Sequence, residues 1–342
     1  MSDRVLVTGV SGYLGGHIAT ELLAHGYRVR GTVRSATADL AAHLPDVELV
    51  TADLTDEAGW AQAAADCRYV VHAASPFPAT EPDDEDELVR PAVDGTLRVL
   101  RAAAVAGVRR VVVTSSIAAV RMGHRERVCT ETDWSDPRAC NAYEKSKTLA
   151  ERAAWDFARE RGIELVAINP GMILGPVQRA AVGTSVEALR ILLARAMPAV
   201  PPIGFATVDV RDAAVAHRLA LELPEAAGNR YIVAGDYVSM TEMARIIATR
   251  YRVPTRTIPA WLLRLAARFD ATARLAASRL GKREAVSADK ARRELGWTMR
   301  PIEQTLLDTA ESLVRLGVVA DPGRPRARRG TTGPRPQPAS AV

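Results

Sequence analysis

Residues 4–16 read RVLVTGVSGYLGG, and the parsing of this stretch decides the fold. An apolar run with β-branched residues, 4–8, breaks on a glycine and gives way to a helical pattern with Ile18, Leu22 and Leu23 on one face, ending near Gly26. Between strand and helix lies G-x-x-G-x-x-G: Gly9, Val10, Ser11, Gly12, Tyr13, Leu14, Gly15. Glycines in such a turn permit a tight reversal, close approach of backbone to a pyrophosphate, and close packing of helix on strand. The helix start adds unpaired N–H groups and a positive dipole end. Gly9, Ser11, Gly12, Tyr13, Leu14 and Gly15 are therefore the expected cradle for a dinucleotide.

Working outward, the theme repeats. YRVRGTVR, VELVTADL, YVVHAAS, RVVVTSS and IELVAINPG are short β-branched runs ending in polar or small residues, with helical stretches between most of them. Strands alternating with helices imply an α/β protein: a Rossmann-type doubly wound parallel sheet with right-handed crossovers. Ligands in such sheets bind beyond the carboxyl ends of the strands. After Gly175 the alternation fades into a proline-rich loop, PAVPPIGF, and largely helical sequence. The expected organisation is a dinucleotide-binding domain over 1–175 with return segments near 205–235. A substrate-binding cap, mostly helical, takes 176–204 and 236–318, and a disordered basic tail takes 319–342. Within the cap, PAWLLRLAARFDATARLAASRL (259–280) reads as one amphipathic helix whose Leu262, Leu265 and Phe269 form a core face.

Composition narrows the function. The 342 residues are 48% hydrophobic and 25% charged, an ordinary globular balance. No apolar run has the length of a membrane span, and no cleavable signal fits ahead of the first turn. The three cysteines have neither metal-ligand nor disulfide spacing, so no metal is expected and a cytoplasmic location is. The net charge of +5 suggests a nucleic-acid partner until it is located: the last 22 residues hold five arginines against one aspartate. A Pro/Gly/Arg-rich end of this kind builds no core and reads as a solvated tail. Neither nucleic acid nor membrane is an expected partner.

The second strand bears on which dinucleotide. An NAD site wants a carboxylate at its end, but GTVRSATAD offers Arg34 there. A guanidinium pairs bidentately with a 2′-phosphate, which favours NADP(H). Asp53 and Leu54, after the third strand, are placed for the adenine. Ala73, Ala74 and Ser75, after the fourth, are small enough to let a cofactor lie against the backbone. His72 reads as structural.

Only four of the 45 basic residues are lysine, and two of these stand in NAYEKSK (141–147). Tyr143 and Lys147 are i and i+4, on one helix face. An ammonium near a phenol lowers its pKa, and a phenol so tuned protonates a developing alkoxide. Lys147 also suits ribose hydroxyls. Lys145 points elsewhere and is expected in solvent. Thr114, Ser115 and Ser116 end the fifth strand on the same sheet edge. Either serine would donate to the substrate oxygen, Ser116 being the preferred candidate.

With VTGVSGYLGG, DLTD, HAASPF, TSS, YEKSKTLAE, NPGMILGP and ELGW in place, the chain resembles the extended short-chain dehydrogenase/reductases. Within them it is most similar to the subgroup of dihydroflavonol, cinnamoyl-CoA and aldehyde or ketone reductases. The resemblance implies a Ser116–Tyr143–Lys147 triad, nicotinamide contacts from Asn169, Pro170, Gly171 and Met172, and contacts from Thr184 and Ser185 on the far side of that ring. It implies an NADP(H)-dependent enzyme reducing a small carbonyl substrate or oxidising the alcohol. A monomer or a homodimer is the expected assembly. Where NAYEKSK stands, cinnamoyl-CoA reductases carry a different, tyrosine- and cysteine-containing stretch, so a coenzyme-A thioester is not the expected substrate. Nucleotide-sugar epimerases and dehydratases, sterol-type dehydrogenases, and a cofactor-sensing regulator without turnover are the alternative readings.

Overall fold

The computed structural model describes residues 2–76, 82, 84–124, 127–180, 183–283 and 285–324. Its main sheet is built from β1 (Arg4–Thr8), β2 (Arg28–Val33), β3 (Val47–Thr51), β4 (Tyr69–His72), β5 (Arg110–Thr114), β6 (Glu164–Pro170) and β9 (Arg230–Val233). The strand order is β3-β2-β1-β4-β5-β6-β9, every pair parallel. The order reverses between β1 and β4, and this is where a doubly wound sheet opens a crevice at its carboxyl edge. The residues just after β1 and β4 flank that crevice.

The continuous apolar character of the strands follows from burial on both faces. Val5 and Val7 point one way, into a cluster with Ile18 and Leu22 of α1 (Tyr13–Ala24), Ala216 of α7 (Val210–Glu222) and Leu295 of α11 (Asp289–Leu295). Leu6, Val70, Val111 and Val113 point the other way. There they meet Trp60 of α3 (Trp60–Ala64), Leu100 of α4 (Asp86–Val105) and Ala154 of α5 (Ala142–Arg161). The short α2 (Ala38–His43) follows β2.

A second layer stands beyond the carboxyl edge. Its small sheet pairs β7 (Met172–Leu174) in parallel with β8 (Gly204–Asp209), and β8 antiparallel with β10 (Tyr237–Ser239). Leu189 and Leu193 of α6 (Thr184–Leu193), Met243 and Ile247 of α8 (Met240–Ile247), and Leu306 and Leu313 of α12 (Ile302–Arg315) pack a third core around Leu174. Arg300 grips Asp212 at 2.6 Å and Arg211 bridges to Asp308 at 2.7 Å, which ties α7 beneath the sheet to α12 in the cap.

Three expectations shift. The return to the main sheet is α7 and β9, whereas β7 and β8 pair with each other and with β10 in the cap, because β7 leaves the line of β6 at Gly171. A side chain on Gly171 would run into the Ala206 carbonyl of β8, so this glycine is accounted for by strand packing. The expected tail from 319 starts too early: Val319 is buried in the cap core and the Gly323 carbonyl accepts from Arg252 N at 2.9 Å. Residues 325–342 lie outside the described part. Finally, 259–280 is two helices, α9 (Ala260–Ala266) and α10 (Ala271–Ser278), separated where Asp270 caps α10 through Ala273 N. Leu262, Leu265 and Phe269 are exposed, and only Leu263 of α9 is buried.

Candidate active site

The glycine turn is closed by Gly12 N donating to Gly9 O at 2.9 Å. Gly9 has φ +68°, and a Cβ there would sit 3.0 Å from Ala74, so the turn rests directly on the residues that follow β4. A Cβ on Gly15 would strike the Gly9 carbonyl, which is the close helix-on-strand packing expected of the third glycine. Gly12 is the N-cap of α1 with no side-chain cap and no acid in the first turn. The N–H groups at the start of α1, around Tyr13, Leu14 and Gly15, therefore face the crevice with the dipole unopposed, a setting that suits a phosphate. Ser11 is exposed beside them. The Tyr13 hydroxyl is committed elsewhere: it donates to Gly175 O at 2.8 Å, and burial holds its pKa well above the phenol range. What Tyr13 offers a phosphate is backbone.

Arg34 is exposed just past β2, and its charge reaches Asp53 across the gap to the end of β3. Asp53 is held below the usual carboxylate range chiefly because Oδ1 accepts from Thr55 N (2.8 Å) and Thr55 Oγ1 (2.7 Å). Arg34 and Asp53 thus border one edge of the crevice, where an adenosine would lie in this fold. Leu54 packs under it, against Gly95 of α4. Ala73, Ala74 and Ser75 continue β4 along the opposite wall, with Ala74 N donating to Thr8 Oγ1 at 3.0 Å. His72 is structural, as expected. Its Nδ1 accepts from Thr8 Oγ1 at 2.8 Å and its Nε2 donates to Thr96 Oγ1 at 3.2 Å, while burial and the nearby Lys147 push its pKa down to about 3. This tautomer follows from Thr8 accepting from Ala74 and Thr96 donating to Ala92 O.

At the other end of the crevice, α5 delivers Tyr143 and Lys147. Its start is set by a capping box: Asn141 Oδ1 accepts from Glu144 N (2.9 Å), and Glu144 Oε2 accepts from Asn141 N (3.0 Å). The motif NAYE therefore marks the first turn of the helix that carries the tyrosine. Tyr143 is hydrogen-bonded to the Ser116 side chain. Lys147 Nζ donates to the Thr114 carbonyl at 3.3 Å, and the Thr114 hydroxyl donates to His217 Nε2 at 2.8 Å. The three residues expected to form a triad are brought to one place, at the carboxyl end of β5.

The electrostatics differ from expectation. Burial raises the Tyr143 phenol, and what opposes it is first the Ser116 hydroxyl, then the charges of Arg279 and Arg121. Burial depresses Lys147 itself to about 8, with Glu151 acting against the shift. Lys145 points away from the site, partly exposed, and pairs at the surface with Glu85 at 2.7 Å.

The two serines separate cleanly. Ser115 is buried and donates to Glu151 Oε2. Glu151 is in turn paired with Arg230 at 2.6 Å, and Arg230 lies over the Trp134 ring at 3.7 Å. Asn169 donates from Nδ2 to Glu151 Oε2 (2.8 Å) and to the Ser116 carbonyl (3.1 Å). Ser115 thus belongs to a buried frame, and Ser116 faces the tyrosine. Asn169, expected at the nicotinamide, has its amide nitrogen turned into this frame, while its Oδ1 is buried with no partner among the described residues. Pro170 ends β6, Gly171 packs on β8, and Met172 opens β7 half-buried. Thr184 and Ser185 begin α6, whose N-cap Gly183 sits against Tyr13.

Sequence reasoning missed several neighbours. Gln178 and Arg179 line a depression beside Ser11, Gly12 and Tyr13, and Arg279 reaches the tyrosine from α10. Glu151 and Arg230, 79 positions apart, are joined only by the fold. Of these, only Glu151 carried a local signal, one helical turn past Lys147.

The crevice sits at the switch point with an uncapped helix start at one end and, at the other, half-buried Tyr143 and Ser116 beside the buried Lys147. A profile of the NAD dependent epimerase/dehydratase family matches residues 5–235. The chain belongs to this family. Cinnamoyl-CoA reductase 1 of Petunia hybrida is 37% identical over 331 residues, 92% of each chain. A bifunctional dihydroflavonol 4-reductase/flavanone 4-reductase of Malus domestica is 33% identical over 276 residues, 75% of this chain and 79% of that one. Among solved structures, a yeast methylglyoxal/isovaleraldehyde reductase complexed with NADPH superposes with a TM-score of 0.76 at 27% identity, over 92% of this chain and 99% of the other. These are the extended short-chain dehydrogenase/reductases that the motifs resemble.

Proposed function

We propose that this member of the family is an NADP(H)-dependent reductase of small aldehydes or ketones, running in reverse as an alcohol dehydrogenase. The observation that carries the reading is the half-buried Tyr143 bonded to the Ser116 side chain just past β5, with the Lys147 ammonium one helical turn away. NADP(H), when bound, supplies or accepts the hydride.

The residues fit that cofactor. The glycine turn leaves room for a pyrophosphate over the uncapped start of α1, and Arg34, exposed just past β2, would pair with a 2′-phosphate that a carboxylate there would repel. Ser116 donates to the carbonyl oxygen and orients it. Tyr143 gives that oxygen its proton as charge develops, and takes it back in the oxidation direction. Lys147 contributes a fixed positive charge and three rotatable donors suited to ribose hydroxyls. The frame of Glu151, Asn169 and Arg230 holds Ser115 and the Ser116 carbonyl still, so that Ser116 does not have to be ordered during the reaction. The names of the relatives, reductases of carbonyl compounds, support the same reading.

The test is NADPH and NADH consumption against a panel of aldehydes, ketones, diketones and a coenzyme-A thioester. Tyr143→Phe should lower kcat by about 10²–10⁴-fold while nucleotide binding persists. Ser116→Ala should resemble it, whereas Ser115→Ala should lower thermal stability more than kcat. Full activity in Tyr143→Phe, or no turnover of any carbonyl, rejects the reading.

A further inference from the structure

Six large apolar side chains stand exposed among the described residues, and four of them fall within nine positions: Trp261, Leu262, Leu265 and Phe269. Trp261 is 66% and Phe269 85% exposed, so this is no grazing exposure of a core face. On α9, at 100° per residue, Trp261, Leu265 and Leu262 span a single arc. Leu263, opposite that arc, is the residue that anchors the helix to the cap. Arg264 and Arg268 are exposed and border the arc on its other side.

Charge sharpens the picture. Residues 255–283 hold six arginines and one lysine against the single Asp270, a net +6 in a chain whose total is +5. The rest of the protein is therefore net negative once its terminal arginines are set aside. The α9–α10 segment is a cationic island with an apolar summit. A two-fold contact of this surface with itself would bring its arginines face to face, whereas an anionic bilayer surface answers both features. Aromatic and leucine side chains partition into the headgroup boundary, and arginines beside them meet lipid phosphates. The segment is also continuous with the active site: Arg279, at the end of α10, lies over the Phe205 ring at 5.0 Å, and its charge reaches Tyr143.

We propose that the exposed face of α9 and the flanking basic residues dock this protein peripherally on anionic membrane surfaces, with the mouth of the reductase cleft close to the lipid. No helix among the described residues is long and apolar enough to cross a membrane, so the contact is interfacial.

The experiment is co-sedimentation of the full chain with vesicles of phosphatidylcholine alone or mixed with phosphatidylglycerol. Binding should be at least about tenfold tighter to the anionic vesicles and should weaken as salt rises. Trp261→Ser with Phe269→Ser should weaken it by about tenfold or more, and Arg264→Glu with Arg268→Glu should abolish the lipid-charge preference. Both pairs are exposed, and unchanged circular dichroism and turnover of a water-soluble carbonyl will show that the fold is intact. Absence of binding to anionic vesicles overturns the proposal, as does equal binding by wild type and both variants, which would place the contact elsewhere in the chain. Light scattering that shows the wild type dimeric and the Trp261/Phe269 variant monomeric, with no vesicle binding, would assign the face to a second copy instead.

Discussion

Replacing Lys147 with methionine should make the protein more stable and nearly inactive at once. Lys147 is 8% exposed, and its one hydrogen bond among the described residues goes to the Thr114 carbonyl at a long 3.3 Å. Burial pulls its pKa from 10.5 to about 8. At pH 7 the side chain is charged in both folded and unfolded chains, so the folded state bears the whole desolvation penalty, about 3 kcal/mol at 1.36 kcal/mol per unit. Methionine has nearly the same length and no charge. Removing the ammonium recovers that penalty less about 1 kcal/mol for the bond to Thr114, a net gain of about 2 kcal/mol. The sign with pH is fixed by the same shift. Between about pH 8 and 10.5 the folded chain has lost the proton while the unfolded chain keeps it. Wild-type stability therefore rises with pH in that window, and the gap to Lys147→Met closes. Urea unfolding of both proteins, without nucleotide, at a series of pH values from 7 upward measures the gap, and NADPH consumption should fall by about a hundredfold or more. A variant no more stable than wild type at pH 7, or a gap that does not narrow above pH 8, would refute the burial argument.

Arg34→Ala should raise the dissociation constant of NADPH by about 10–100-fold, the worth of a charge-assisted bidentate contact, and leave that of NADH nearly unchanged, as isothermal titration will show. Arg230→Met leaves Glu151 charged and buried without its cation. It should cost about 3–5 kcal/mol in urea unfolding, a loss that Glu151→Leu in the same chain largely restores if the penalty is electrostatic.

Much of the site was legible because its parts repeat local rules. The glycine turn announces itself between a strand and a helix, and Tyr143 and Lys147 share a face by helical period alone. Ser115 and Ser116 could not be told apart in that way, since both follow β5 directly and stand side by side in sequence. Only Glu151 arriving from α5 and Arg230 from β9 make Ser115 structural and leave Ser116 to the tyrosine. The same limit applies to the phenol. Spacing put a lysine near Tyr143, but burial raises the phenol, and Ser116 and the charges of Arg279 and Arg121, which act against it, come from other parts of the fold.

The stripe Leu262, Leu265, Phe269 shows the limit most plainly. A hydrophobic period says that a helix has an apolar face and says nothing of what covers it, and in this fold Leu263, off the stripe, takes the core. What the sequence by itself determined is whatever depends on neighbours within a few positions: strands buried on both faces, the glycine turn between β1 and α1, the capping box, the tyrosine–lysine pair, and the arginine in place of an acid after β2. Tertiary structure alone decided the placement of β7 and β8 in the cap, the buried frame behind Ser116, the reach of Arg279 to Tyr143, and the exposed face of α9. These rest on contacts between residues tens of positions apart, whose burial and charge are set by packing that no local pattern encodes.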